Sequence, residues 1–397
     1  MKSTDINVEA PREYAIHIVP ELAEFSAGEW GSLSGAKRGA AGYNPFISHA
    51  FLLALEQSGS ATARTGWAGQ HLRLESPEGA MLGAVPCYLK NHSRGEYVFD
   101  YGWADAFERA GGRYYPKLQV SIPFTPATGP RLLTTTGVSR PALLKALGDG
   151  LKLLTSRLGV SSVHVTFAPE EEVAALEAND FLHRTDQQFH FTNCGYSDYD
   201  EFLATLASRK RKTLRKERSN ALSGGIAVEW LTGNDLTENV WDHFFAFYMD
   251  TGGRKWGRPY LTRDFFSLVG QSMAEDIVLI MARRNGRYIA GALNFVGADT
   301  IFGRHWGCVE HHRFLHFELC YHQAIDYAIA HKLKTVEAGA QGEHKLARGY
   351  MPVTTHSAHH IPHAGFRRAI EDYLAHERRE VERIGDYLEQ RGPFRKS

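Results

Sequence analysis

Residues 79–103 read GAMLGAVPCYLKNHSRGEYVFDYGW, and residues 286–307 read GRYIAGALNFVGADTIFGRHWG. Both pass from a glycine turn through a short apolar strand with Gly-Ala to an aromatic strand that closes on tryptophan, the pattern of one antiparallel hairpin used twice. The second copy is the more complete. Residues 276–284 (DIVLIMARR) form an apolar strand, Asn285-Gly286 supplies the positive φ angles of a tight hairpin turn, residues 287–297 return, and residues 300–307 (TIFGRHWG) add a third strand. Each copy leads into a helical pattern, residues 141–159 and 317–332, the latter with Phe317, Cys320, Ala324 and Ala328 along one face. Each helix then leads into a strand, SSVHVTFA at 161–168 and LKTVEAGA at 333–340.

The chain therefore reads as a duplicated α+β unit: two tandem domains, each a mixed, mainly antiparallel sheet flanked by helices. The expected division is 1–182 and 183–397, because the pattern restarts there. A strand (186–193) is followed by one long helix (199–222), a stop at Gly224-Gly225 and the strand IAVEWL at 226–231. A last amphipathic helix, from about Phe366 to Leu388, is expected to pack back on one of the sheets, the first domain being the candidate.

Composition narrows the function classes. With 45 basic and 45 acidic residues, the chain has no overall field for nucleic acid or membrane, so any charged partner must be met locally. No leader-like or membrane-spanning apolar run is evident, which predicts a cytoplasmic protein without an integral membrane segment. Cys87, Cys194, Cys308 and Cys320 are widely spaced and read as small apolar residues rather than a disulfide or zinc framework. Eleven of the 20 histidines fall between His305 and His363, which raises a metal-dependent hydrolase as a rival, yet no HExxH motif or carboxylate at a ligand spacing accompanies them; no metal is expected.

Several longer strings carry a family resemblance. Residues 207–230 (ASRKRKTLRKERSNALSGGIAVEW) resemble the segment that opens the second domain of the Fem peptidoglycan aminoacyl ligases. Residues 44–59 (NPFISHAFLLALEQSG), 92–107 (HSRGEYVFDYGWADAF), 114–133 (YYPKLQVSIPFTPATGPRLL), 315–329 (LHFELCYHQAIDYAI) and 337–353 (EAGAQGEHKLARGYMPV) together resemble the bacterial FemAB-like, or predicted N-acyltransferase, family. The resemblance implies two tandem GNAT-type domains and transfer of an acyl or aminoacyl group to an amine, with a peptidoglycan precursor as the candidate acceptor. It implies acyl-CoA or aminoacyl-tRNA as donor, and thus tRNA as a candidate partner. The sequence departs from CoA-dependent GNAT enzymes in one place: residues 309–320 (VEHHRFLHFELC) have no glycine with which to cradle a pyrophosphate. In the first domain the equivalent loop has only Gly129 and Arg131, which reads either as an anion site or as a proline-fixed loop. A non-catalytic module recognising wall precursors is a second rival.

Acyl transfer needs a base for the amine, dipoles for the oxyanion and an acid for the leaving group. The segment 337–345 (EAGAQGEHK) combines small residues that uncover backbone with polar side chains that flank it. Glu337 reads as the base or as a strand-end surface glutamate. Glu318, His344 and His316 are the other catalytic candidates, and Glu318 also suits a helix first turn for purely electrostatic reasons. Gln341, Lys345 and Arg348 are candidates for holding substrate, with Arg304 and Trp306 on the third strand of the meander. In the first domain His92, Tyr97, Asp100, Tyr101 and Trp103 read as one aromatic and polar strand suited to an acceptor groove, with Asp100 orienting the amine. The run from Arg209 to Arg218 reads as a solvated helix face or as a phosphate site through Arg211, Lys212 and Arg215.

Overall fold

A computed structural model describes residues 14–33, 35–256, 259–339 and 342–395. Gln341 lies outside the described residues. In the first half the strands are β1 (Ala15–Val19), β2 (Ala68–Gly69), β3 (His71–Glu75), β4 (Met81–Val85), β5 (Cys87–Lys90), β6 (Lys117–Val120), β7 (Leu133–Thr134) and β8 (Val163–Ala168). They are followed by β9 (Leu182–Thr192), β10 (Ile226–Leu231), β11 (Ile277–Arg284), β12 (Arg287–Val296), β13 (Thr300–Cys308), β14 (Thr335–Glu337) and β15 (Met351–His360). A small sheet has the order β1-β3-β4-β7, and a continuous large one runs β10-β11-β12-β13-β14-β9-β15-β8-β6-β5-β2.

The second meander forms as expected. Asn285 (φ 51°) and Gly286 (φ 75°) supply the two left-handed residues between β11 and β12, and β13 pairs antiparallel with β12. The first copy differs. Pro86 separates β4 from β5, which join different sheets. The chain from Asn91 to Asp100 forms no strand, and Tyr101–Arg109 is a helix. His92, Tyr97, Asp100, Tyr101 and Trp103 therefore do not share a strand. The long basic helix is also two helices, Tyr199–Thr205 and Ser208–Ala221, because Leu206 is extended and bridges to Phe394.

The halves are joined through the middle of the large sheet. β15, from the end of the chain, lies antiparallel between β8 and β9, while the far end of β9 pairs with β14. Above this, one apolar core crosses the halves: Phe46 packs edge-on against Phe295 and Phe302, with centroids 5.3 and 5.1 Å apart, and Phe51 meets Phe265 at 5.7 Å. The last helix, Ala364–Gln390, lies over β9 and β15, and its Phe366 stacks on Phe107 of the first half at 4.3 Å. The architecture is α+β, a large mixed sheet and a small antiparallel one flanked by helices. Among the described residues no helix is long and apolar enough to cross a membrane.

Candidate functional site

β13 and β14 run parallel for three residue pairs, ending at Phe302↔Glu337. Beyond that pair β13 continues to Cys308, whereas the other chain leaves the sheet through Ala338 and Gly339, the latter at φ 80°. Glycine is the residue that takes this conformation without strain. The strands thus diverge directly after Glu337 and leave a gap between them.

Glu337 is 3% exposed, and its Oε1 accepts the Thr128 backbone N–H at 3.2 Å across the junction between halves. Burial pushes its carboxyl up to about 7, against the opposing charges of Arg304, Arg131 and Lys345. His190, its register partner on β9, lies 3.9 Å away, and burial lowers that imidazole to about 4. Glu337 is therefore not a surface strand-end residue. It is a near-neutral carboxyl in a cationic surround.

Lys345 is buried, its ammonium donates to the Gly339 carbonyl at 2.7 Å, and burial lowers it to about 8. Arg304 lies on β13 just past the last β14 pair, at a bulge: Gly303 faces Asn294 and His305 faces Leu293, which leaves Arg304 as the extra residue. A bulge breaks the side-chain alternation and re-aims the residue it carries. The Arg304 guanidinium carbon is 5.7 Å from the Phe46 ring centre, while Nε and Nη1 are out of solvent contact and have no partner among the described residues. Burial lowers its proton affinity, with the charges of Tyr97 and Glu337 acting in the other direction.

The other candidates lie around a second network. Arg348 donates from Nε and Nη2 to the two oxygens of Glu217 at 2.8 and 2.7 Å, and it sits 3.5 Å above the Phe317 ring. Glu217 also bonds His322 at 2.9 Å, whose other nitrogen is 2.6 Å from the Tyr199 hydroxyl. Glu318 is fully buried and held by Arg218 and Gln323, so its carboxylate is engaged within the helix packing. It lies in a π-turn, Glu318–His322, an irregularity often found near functional sites. His344 is exposed on one side and hydrogen-bonded to the Tyr321 hydroxyl at 2.9 Å; partial desolvation of its ring and the neighbouring Arg348 and Lys345 lower its pKa. His316 packs edge-on against Trp306 at 5.2 Å.

A cavity of about 430 Å³ opens where the basic helix faces this network, lined by Arg209, Lys210, Thr213, Glu217 and Arg348. The helix face turned to it is not the expected one: Lys212 and Arg215 are exposed, Arg215 pairs with Asp200, and Arg211 does not line it. Helical spacing explains the difference, since 209, 210, 213 and 217 share a face that 212 and 215 do not.

The expected anion site at Arg131 and acceptor groove at Asp100 are built differently. Arg131 is fully buried, and its guanidinium donates to the carbonyls of Ala127, Gly129, Pro130 and Thr166, bracing the loop that carries Thr128. Its donors are thereby engaged by backbone. Asp100 is 3% exposed and accepts from Lys117 and from the Tyr114 hydroxyl at 2.6 Å. Burial favours its neutral form, but the Lys117 ammonium outweighs this and holds the carboxyl well below the usual range. Trp103 is buried against His359, His92 and Tyr97 are half-buried, and Tyr101 is 47% exposed. Glu217, Arg209 and Lys210, the last two inside the basic run but not chosen as its phosphate contacts, and His190 are the neighbours that sequence reasoning did not single out. The i, i+4 face of the basic helix was the signal available for the first three. Among the described residues no group of three His, Cys, Asp or Glu side chains is arranged to hold a metal ion.

Comparison with known proteins follows the same architecture. The FemAB-like family model, described as peptidoglycan biosynthesis/recognition, matches residues 21–396. No curated protein sequence matches. Among solved structures, FemX superposes with a TM-score of 0.50 at 13% identity, over 80% of this chain and 93% of FemX. L-PGS from Bacillus licheniformis gives 0.47 at 10% identity over 78% and 90% of the two chains. A tandem GNAT protein from the clavulanic acid biosynthesis pathway gives 0.43 at 12% identity over 88% and 98%. At these identities the likeness to FemX is one of fold.

Proposed function

The chain belongs to the FemAB-like family, and from that premise we propose that it transfers an acyl or aminoacyl group to an amine of a peptidoglycan precursor in the gap between β13 and β14. One observation carries the reading: a buried carboxyl with a pKa of about 7, Glu337, stands at the point where two parallel strands part, beside Arg304 and Lys345.

In this mechanism the amine nitrogen attacks the acyl carbonyl carbon. The new C–N bond forms as the C–O or C–S bond to the donor breaks. The ionised Glu337 carboxylate takes the amine proton, which a group titrating near neutrality does efficiently at working pH. The Lys345 ammonium stabilises the oxyanion, and the leaving oxygen or sulfur is protonated from Lys345 or His344. The donor is an acyl-CoA or aminoacyl-tRNA. Its phosphates are held by Arg209, Lys210 and Arg348 in the cavity beside the basic helix. The division into two units near residue 182 is part of the same proposal: the first half contributes the Thr128 loop and the second the reacting groups.

The test is transfer of a labelled acyl group from acetyl-CoA or aminoacyl-tRNA to a muropeptide, with and without ribonuclease. Glu337→Gln is expected to lower turnover by about 10²–10⁴-fold, the range for loss of a general base. Binding of the muropeptide with no transfer from either donor favours the recognition role instead.

A further inference from the structure

The cations around Glu337 differ in what they already hold. Lys345 donates to the Gly339 carbonyl and Arg131 to backbone carbonyls. Among the described residues, Arg304 has Nε and Nη1 buried and without partners, and no ion pair joins it to Glu337. A guanidinium with two buried, unpartnered nitrogens is costly, and a fold that retains one at a bulge facing a gap holds it ready for an anion. The gap therefore offers a carboxylate on β14 and a free guanidinium on β13, two strands that part immediately after Glu337.

These two groups are complementary to a zwitterion. With Glu337 receiving the amine proton, the anion for Arg304 must lie on the same molecule as that amine and a few bonds from it. We propose that the acceptor is an amino-acid centre, an amine with a free carboxylate on the adjacent carbon, and that Arg304 selects it by pairing with that carboxylate. A lone side-chain amine fills only half of the site. Phe46 and Tyr97 beside Arg304 make its surroundings poor in water, which strengthens a charge-assisted hydrogen bond there. This inference rests on the acyl-transfer reading, because that reading places the amine at Glu337.

The experiment uses two tripeptide probes that differ at the reacting side chain. One is L-Ala-γ-D-Glu-meso-diaminopimelate, whose distal amine carries a neighbouring carboxylate; the other is L-Ala-γ-D-Glu-L-Lys, whose amine does not. Calorimetric Kd values are measured for the full chain and for Arg304→Gln, with circular dichroism and melting to show that the variant is folded. The diaminopimelate probe is expected to bind wild type about ten- to a hundredfold more tightly than the lysine probe, the range for one buried hydrogen-bonded charge pair. In Arg304→Gln that preference should collapse to within about twofold. Should the variant not fold, Arg304→Lys, which keeps the charge but loses the planar donors, should give an intermediate preference. Equal affinities in wild type, no binding of either probe, or a preference that survives in Arg304→Gln overturns the assignment. If the lysine probe is acylated as well as the diaminopimelate probe, the acceptor assignment falls while acyl transfer stands; a clear binding preference with no transfer from either donor leaves the zwitterion site and removes the enzymatic reading.

Discussion

Replacing Glu337 by glutamine should stabilise the protein above neutral pH while disabling the reaction. In the folded chain the carboxyl titrates at about 7 rather than at 4.5, chiefly because burial disfavours its charge. Between these values the unfolded chain has released the proton that the fold still holds. The unfolded state then binds fewer protons, and stability falls as pH rises from about 4.5 to about 7. A shift of roughly 2.5 units at about 1.4 kcal/mol each corresponds to about 3 kcal/mol lost by pH 8, and to less than about 1 kcal/mol at pH 5. Glutamine keeps the shape and the acceptor for the Thr128 N–H but never ionises. Urea unfolding of wild type and Glu337→Gln at pH 5 and pH 8 should show a small gain for the variant at the lower pH and several times more at the higher. A variant equally or less stable at pH 8, or a gain that does not depend on pH, would refute burial as the source of the near-neutral carboxyl.

Other outcomes follow from the same geometry. Glu217→Ala leaves Arg348 buried without its partner and should cost about 3–5 kcal/mol in chemical denaturation, far more than removing the exposed Arg215–Asp200 pair. Alanine at Arg209 and Lys210 should weaken pyrophosphate binding at least about fivefold and flatten its salt dependence, whereas alanine at Arg211, Lys212 and Arg215 should leave both nearly unchanged, as titration at two ionic strengths would show. The His164 imidazole is lowered from 6.5 to about 3 by burial, so the fold stays neutral there while the unfolded chain binds a proton. Its contribution is complete above about pH 6.5 and is lost as pH falls, by about 2 kcal/mol at pH 5, a loss that His164→Asn should reduce in urea melts at pH 7 and pH 5. Gly339→Val combines an unfavourable φ of 80° with a branched side chain in the gap, and should raise the Kd for muropeptide, whereas the control Gly286→Val, at φ 75° in the β11–β12 turn, should lower the melting temperature and leave that Kd unchanged.

The parts legible in the sequence were those written in local chemistry. Asn285-Gly286 dictates a hairpin because both residues tolerate positive φ, and the alternation around it leaves little choice of partner strands. The place where the chain leaves the sheet after Glu337 was legible because small residues follow it and expose backbone. What was not legible depends on which distant segments meet. Nothing local to Asp100 announces that Lys117 and Tyr114 will bury it, and nothing in residues 351–360 shows that they will enter the sheet between β8 and β9. The basic run was legible as a helix but not as two, and its cavity-facing side was not legible, because seven cations in ten residues offer charge on every side and only tertiary packing turns 209, 210 and 213 toward the cavity. The near-miss in the first hairpin has a similar cause: Pro86 lets two strands with a hairpin pattern diverge into separate sheets.

The pH dependence of kcat/KM for amine acylation tests the central claim most directly. Wild type should rise with a single ionisation near pH 7 as Glu337 loses its proton, and Glu337→Gln should lose that limb along with about 10²–10⁴-fold of its rate. A profile that is flat through pH 7, or a limb that persists in the glutamine variant, would contradict the assignment of Glu337 as the base.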